Sequence, residues 1–268
     1  MVVEVVDKGP KPAEKLEVLP TRGEKLKEDA KSLSHMLTHV PKNPYCSTCQ
    51  RAKMQAKSAP NRKGMHSDGS ARPKGFGAEV TADHFIAKDE IDVSITGDKT
   101  GLVIHCRGSD WLETYGTNTN DAGSTETCFI DFQGSKDEIR SFYSDDSREI
   151  RKAATNRGWV HGDSTPGRPD TNGDAENSVR RVLEGIRCAL EHAGMAPGWW
   201  PYAGKHFCCA HNFTRKYERN GNQTPFEARH KGQLFNCILA PFGCRIDFKP
   251  SPVRGKVVSK FAARAVPG

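Results

Sequence analysis

The chain has 268 residues, a formal net charge of +7 and a hydrophobic content of 35%, which is enough apolar surface for a folded core. No run of residues approaches the roughly 20 apolar positions of a membrane span, and the amino-terminal residues lack the pattern of a secretory signal. Nine irregularly spaced cysteines fit a reducing compartment, so we expect an intracellular protein with no membrane partner.

Charge is distributed unevenly along the chain. Residues 51–74 hold seven Lys or Arg against one acidic residue, and residues 245–268 hold six against one. Residues 79–150 hold sixteen acidic residues against six basic ones. Such runs can be solvated surface without further meaning. The other interpretation is that the basic flanks contact a polyanion while bound cations offset the acidic centre.

Two histidines and two cysteines are grouped near the amino terminus. His35 and His39 have the i, i+4 spacing that places two side chains on one helical face, and the Cys46-x2-Cys49 turn can close a tetrahedral Zn²⁺ shell. Unlinked thiols and exposed histidines are the alternative interpretation. The spacing and order favour a small zinc-binding module.

Farther along, apolar patterning predicts strands alternating with helices. The predicted strands are at residues 78–86, 101–107, 111–117, 139–144 and 159–160, and the second and third form a hairpin. The predicted helices are at residues 122–132 and 148–156, from 171–174 to just before 194, at 199–213, and from 224. This order of elements predicts an α/β domain with a mixed five-stranded sheet flanked by helices.

The long predicted helix carries Glu176 at the edge of its apolar face, close to Arg180 and Arg187. A glutamate paired with Arg180 on a solvated face is a common arrangement. The other hypothesis is that the carboxylate reaches into a site and that the arginines meet phosphates. Asp83 and Asp145, at predicted strand ends, would then complete a three-carboxylate site for Mg²⁺ or Mn²⁺.

Motifs around these acids resemble the integrases of LTR retrotransposons, most closely the copia type, within the retroviral integrase family. FGAEVTADHF contains the first aspartate, FYSDDSREI the second, and STPGRPDTNGDAENSVRRVLE the glutamate. WWPYAGKHFCCAHNFTRK, QTPFEARHKG and LAPFGCRIDFKP follow as further landmarks in the same order. The His-His-Cys-Cys group is similar to the amino-terminal module of that family.

The resemblance implies a ribonuclease H-like fold and a metal-dependent polynucleotidyl transferase that processes and joins DNA 3′ ends. It implies that Asp83, Asp145 and Glu176 are catalytic and bind Mg²⁺ or Mn²⁺, with Asp146 open as an alternative second ligand. It also implies DNA partners (element ends and target DNA), a homo-oligomer and a nuclear location. The residues expected to contact DNA are Arg51, Lys53, Arg180 and Arg187.

The resemblance and the composition divide the chain into five segments. We expect a lead at 1–31 that is disordered or a loose helix, a His-His-Cys-Cys zinc module at 32–54, a basic linker at 55–75, a catalytic core at 76–215, and a helical extension with a basic tail, expected to be truncated, at 216–268. The unusual Asp-Asp-Ser turn at the second aspartate leaves a second hypothesis. It is a catalytically inactive or domesticated integrase-derived protein that binds DNA through the zinc module and basic flanks.

Overall fold

The computed structural model describes residues 21–54, 73–87, 89–145, 147–163, 173–236 and 238–246. The first 20 residues of the predicted lead, most of the linker and the tail from residue 247 lie outside the described residues. So does Asp146. In the described ranges, no helix combines the length and the hydropathy needed to cross a bilayer.

The centre of the fold is a mixed sheet with the strand order β3-β2-β1-β4-β5. The strands are β1 (Val80–Ile86), β2 (Thr100–Cys106), β3 (Leu112–Thr117), β4 (Phe142–Ser144) and β5 (His161–Asp163). β1, β2 and β3 pair antiparallel, whereas β4 pairs parallel with β1. The three-residue strand β5 continues the sheet beside β4 in parallel. The predicted mixed α/β architecture and its hairpin are therefore confirmed.

Helices lie on both faces of this sheet. The α-helices of the described residues are α1 (Arg22–Asp29), α2 (Leu33–Thr38), α3 (Ser47–Ala52), α4 (Ala122–Gln133), α5 (Arg148–Asn156), α6 (Gly173–Ala193), α7 (Trp200–Thr214) and α8 (Pro225–Arg229), and α4 to α7 pack against the strands. Leu102 and Ile104 of β2 belong to a core with α4 and α5, whereas Val103 between them belongs to a second core with α6 and α7. The alternation follows from the two-residue period of a strand.

Helices α6 and α7 approach each other closely because glycine occupies the contact. A Cβ atom added at Gly185 of α6 would lie 2.3 Å from the ring of Phe207 on α7. One added at Gly204 of α7 would lie 2.7 Å from a methyl group of Thr114 on β3. The two glycines therefore set how closely α6 and α7 pack on the sheet.

The strand predicted at Trp159 and Val160 is displaced, because β5 begins only at His161. Trp159 instead lies in the core, where its ring stacks on Phe129 with centroids 4.8 Å apart and lies 5.4 Å from Phe142. Burial of a large aromatic surface decides the backbone position here, and the local apolar pair gave a misleading strand signal.

The described part of the predicted lead, from residue 21, is largely helical, so the loose-helix alternative applies to it. Helix α1 follows a capping box between Thr21 and Glu24. The side chain of buried Asn43 donates to the carbonyl oxygen of Leu26 at 2.8 Å and also contacts Asp29. These contacts hold helix α1 against the His-His-Cys-Cys segment, and no local sequence pattern predicts them.

The segment after α7 returns to the core through α8. Arg229 donates to Asp137 at 3.0 Å, and its guanidinium lies 3.8 Å from the ring centre of Phe76 and 4.6 Å from that of Trp111. One buried cation therefore joins α8 to both the α4–β4 connection and the β2–β3 hairpin.

Candidate metal centres

The pairing of β1 with β4 relates the two predicted aspartates. Val80 lies opposite Phe142 and Thr81 opposite Tyr143 in this parallel pair. Asp83 lies in β1, and Asp145 directly follows β4, so the same register continued by two residues puts Asp145 level with Asp83. Side chains level with each other on adjacent strands share one face of the sheet. The register therefore favours Asp145 over Asp146 as the second ligand.

Glu176 approaches this pair from α6, which packs against β1 and β2. It lies in the first turn of the helix and is exposed, whereas Asp83 and Asp145 are half-buried. Burial raises the pKa of Asp83 to about 6, and the negative charges of Asp145 and, more weakly, Glu176 add to the rise. A hydrogen bond of 2.8 Å from the backbone N–H of His84 to Asp83 Oδ1 acts in the opposite direction. The three acids thus interact electrostatically.

The three carboxylates do not converge as tightly as a ligand shell. Among the described residues, the group whose potential ligand atoms all lie within 4.8 Å of one another is the His-His-Cys-Cys set, and no such group contains the three acids. Mutual repulsion of like charges opposes convergence. An all-oxygen donor set suits Mg²⁺ or Mn²⁺, and a divalent cation would offset the repulsion from neighbouring carboxylates that, together with burial, raises the pKa of Asp83.

The four predicted zinc ligands do converge. His35 Nε2 lies 3.4 Å from Cys49 Sγ, and His39 Nδ1 lies 3.4 Å from Cys46 Sγ and 3.7 Å from Cys49 Sγ. Nitrogen and sulfur ligands of a tetrahedral Zn²⁺ ion lie roughly 3.5 Å apart, given ordinary Zn–N and Zn–S bond lengths. All four side chains are buried. The geometry and the donor set fit Zn²⁺.

Local structure explains how these ligands meet, and it corrects one expectation. Helix α2 ends at Thr38, so His39 does not continue the helical face of His35 but follows it in the left-handed region, with φ 52°. The backbone turn brings the His39 ring back toward the cysteines. Cys46 caps α3 by accepting a hydrogen bond at 3.5 Å from the backbone N–H of Cys49.

Burial sets the protonation of the His-His-Cys-Cys group. Burial lowers the pKa of His39 to about 4, helped by the nearby positive charges of His35, His192 and Lys53. The imidazole is therefore neutral at neutral pH, as a zinc ligand must be. Burial raises the pKa of the Cys49 thiol, and a bound cation would favour its thiolate. The other ring nitrogens, His35 Nδ1 and His39 Nε2, are buried without a hydrogen-bond partner in the described part of the chain.

The residues predicted to contact DNA fall into two groups. Arg180 and Arg187 are exposed on α6. Lys53 is buried, donates to the carbonyl oxygen of His39 at 2.9 Å and lies 4.0 Å from Glu184 of α6. Arg51 is exposed and contacts Glu191 of α6 at 2.7 Å. Arg51 and Lys53 thus dock the His-His-Cys-Cys segment (residues 32–54), the candidate zinc-binding segment, on the same helix that carries Glu176.

Sequence patterns gave no signal for His105 and His211, which are fully buried near Asp110. His105 Nε2 lies 3.6 Å from Asp110 Oδ1, and His211 Nε2 lies 3.3 Å from the Asp110 carbonyl oxygen. The two histidines are far apart in the sequence, one in β2 and one in α7, so no motif contains both. Only the tertiary fold brings them together.

Comparison with known proteins gives a limited result. No protein-family model matches the chain, and no curated protein matches it. Among solved structures, the catalytic core domain of BIV integrase matches with 15% sequence identity and a TM-score of 0.42, over 57% of this chain and 93% of that one. At this identity and score, the likeness by itself carries no argument about the activity of this chain.

Proposed function

We propose that the chain is an integrase-like polynucleotidyl transferase of an LTR retrotransposon, with a ribonuclease H-like core, that processes and joins DNA 3′ ends in the nucleus as a homo-oligomer. The observation that carries the proposal is the coupling of three acids from separate elements. Asp83 and Asp145 are level on adjacent parallel strands, and Glu176 adds to the raised pKa of Asp83. A carboxyl group with a raised pKa beside other carboxylates, as Asp83 has, is typical of functional sites.

In this proposal Asp83, Asp145 and Glu176 hold Mg²⁺ or Mn²⁺. The bound cations supply charge stabilisation for the attacking and leaving oxygens of an in-line displacement. Asp83, with a pKa near 6, is mostly ionised at neutral pH and becomes fully so beside a cation. Glu176 is exposed at the start of a long helix, so its side chain has room to turn toward the aspartates.

The reaction has two displacements at phosphorus. In the first, a water oxygen bonds to a phosphorus of the element DNA, and the P–O3′ bond breaks to free a 3′-hydroxyl. In the second, that hydroxyl oxygen bonds to a phosphorus of the target strand, whose own P–O3′ bond breaks. Each leaving oxygen takes up a proton, and no covalent intermediate with the protein is needed.

DNA binding would rest on the exposed cations of α6, Arg180 and Arg187. The acidic segment around Asp83 repels phosphates unless cations offset its charge. The His-His-Cys-Cys module would hold Zn²⁺ as a folding element, not as a catalyst. Its docking on α6 through Arg51 and Lys53 supports a role in holding the core and DNA ends together.

A second candidate is a catalytically inactive or domesticated descendant that only binds DNA. The observation that favours it is the loose arrangement of the carboxylates in the described residues, together with the exposure of Glu176. Both candidates predict salt-dependent DNA binding, so only the joining reaction separates them.

The test is a strand-transfer assay with the purified chain, Mg²⁺ or Mn²⁺, a labelled duplex with a recessed 3′-hydroxyl end, and a plasmid target. The wild type should join the two DNAs, and Asp83→Asn should abolish joining while duplex binding, measured by fluorescence anisotropy, is retained. Asp92→Asn is the matched control, because Asp92 is an exposed acid in the same acidic segment.

Equal joining by Asp83→Asn and the wild type would refute the site assignment. Absence of joining by the wild type, with DNA binding intact, would favour the inactive descendant.

Expression of the tagged chain in a eukaryotic cell tests the nuclear location, since exclusion from the nucleus would contradict that part of the proposal.

A further inference from the structure

A cavity of about 600 Å³ lies between the zinc-binding segment and the core. We name it the basic cavity. Its cationic lining residues are Lys42, Lys53, Arg180, Arg181 and Arg215. None of the seven predicted metal ligands lines it. The cations come from the zinc-binding segment, from α6 and from the end of α7, so the cavity exists only when these parts are packed together.

Among the described residues that line the basic cavity, cationic side chains outnumber carboxylates. Two carboxylates, Asp174 and Glu184, also line it. Asp174 is contacted by Arg107 at 2.6 Å, and Glu184 lies 4.0 Å from Lys53. Five cationic side chains against two carboxylates leave a surplus of three positive charges in one recess. Such a surplus favours an anion with several charges.

Buried polar atoms that lack a hydrogen-bond partner also indicate a ligand, independently of the charge surplus. His105 lines the basic cavity and is only 3% exposed. Its Nε2 faces Asp110 Oδ1 at 3.6 Å, whereas its buried Nδ1 has no hydrogen-bond partner in the described part of the chain. Nη1 of Arg181, another lining residue, is likewise buried without a hydrogen-bond partner among the described residues. Native proteins rarely leave such atoms unsatisfied, because a buried polar atom without a partner loses its hydrogen bond to water without replacement.

We propose that the basic cavity binds a compact phosphorylated small molecule with several phosphate groups. Guanidinium groups pair with phosphate oxygens through two parallel hydrogen bonds, and Arg180, Arg181 and Arg215 offer three such groups. The volume falls within the roughly 300–1,000 Å³ of ordinary small-molecule sites. A DNA duplex presents its phosphates on the outside of a wide cylinder and does not reach a histidine that is 3% exposed.

The bound molecule would join two parts of the fold. Lys42 and Lys53 belong to the zinc-binding segment, whereas Arg181 belongs to α6 and Arg215 follows α7. A polyphosphate contacting both sides would therefore stabilise the docking of that segment on the core. The proposal does not rest on the strand-transfer activity.

The test is isothermal titration of the full zinc-containing chain with sodium tripolyphosphate, without added Mg²⁺ or Mn²⁺. The wild type should bind one molecule per chain, and Arg181→Met should weaken binding about tenfold or more. Arg22→Met is the control, because Arg22 is an exposed arginine of α1 that lies outside the cavity and has no assigned role in DNA binding. It should leave tripolyphosphate affinity unchanged. Zinc content measured after titration shows whether the probe has removed the metal.

Lys42→Met provides a second test if Arg181→Met fails to fold, because Lys42 is exposed at the cavity. It should weaken binding about threefold without changing the circular dichroism spectrum. Equal affinity of the wild type and the cavity variants would overturn the proposal. Equal weakening by Arg181→Met and by Arg187→Met, which removes a proposed DNA contact, with displacement of the probe by duplex DNA, would also overturn it and assign the cavity to the DNA surface. The titration measures binding alone, so its result is valid whether or not the chain carries out strand transfer.

Discussion

Replacing Asp83 by Asn should stabilise the metal-free chain at neutral pH while it removes strand transfer. Asp83 is half-buried beside two further carboxylates, and its pKa is raised from 3.8 to about 6. Asparagine keeps an Oδ1 atom that can accept the hydrogen bond from the backbone N–H of His84. The substitution therefore removes charge while it preserves shape and this contact.

The magnitude follows from the difference in pKa between the folded and unfolded chain. A shift of about two units corresponds to at most about 3 kcal/mol, since each unit is worth about 1.4 kcal/mol. Partial exposure of Asp83 screens the interaction, so we expect about 1–2 kcal/mol. For a chain of this size, that raises the unfolding temperature by roughly 2–8 °C.

The sign of the pH dependence follows from proton binding. Between pH 3.8 and about 6 the folded chain binds more protons at Asp83 than the unfolded chain, so this group makes stability fall as pH rises through that window. Asparagine does not titrate. The advantage of Asp83→Asn should therefore be absent below pH 3.8, grow through the window and stay constant above about pH 6.

The measurement is thermal unfolding by circular dichroism across that pH range without divalent metals, for the wild type, Asp83→Asn and the exposed control Asp92→Asn. Addition of Mg²⁺ should then raise the unfolding temperature of the wild type but not that of Asp83→Asn, because only the former retains the ligand. If Asp83→Asn is no more stable than the wild type at neutral pH, the claim that burial and the neighbouring carboxylates raise the pKa of Asp83 is wrong.

Two further predictions concern the zinc-binding segment and the helix packing. Cys49→Ser should lower the zinc content measured by mass spectrometry and destabilise the fold by several kcal/mol, whereas serine at the exposed Cys209 should do neither. Unchanged zinc in Cys49→Ser would contradict the ligand set. Gly185→Ala should destabilise the chain by about 1–3 kcal/mol in urea unfolding, because the new methyl group meets Phe207, and Gly173→Ala, with open space around it, should be nearly neutral. A neutral Gly185→Ala would show that α6 and α7 pack less tightly than described.

Elements with a long apolar period were predictable from sequence. Helix α6 begins at Gly173 and ends at Ala193, as its amphipathic pattern predicts, and the β2–β3 hairpin also has its predicted place. Prediction failed where distant contacts override local pattern. Trp159 is buried against α4 instead of opening a strand, and His39 leaves the helical face because α2 ends before it.

The two candidate sites also differ in how much of their arrangement the sequence predicts. Spacing alone was enough to find the His-His-Cys-Cys group, because its ligands are close in sequence and a short segment brings them together. The three acids were found from motifs, but their mutual arrangement depends on the pairing of β1 with β4 and on the position of α6. These contacts join residues far apart in the chain, and no local pattern encodes them.

The amino-acid sequence by itself predicted the types of the main elements, the candidate zinc ligands and the three candidate acids, because these depend on local periodicity, spacing and motifs. Only the tertiary structure decided that Asp145 is level with Asp83, that Lys53 is buried against α6, and that five cations surround one recess. The physical reason is that register, burial and charge clustering arise from packing between distant segments, whose free energy is shared by many contacts.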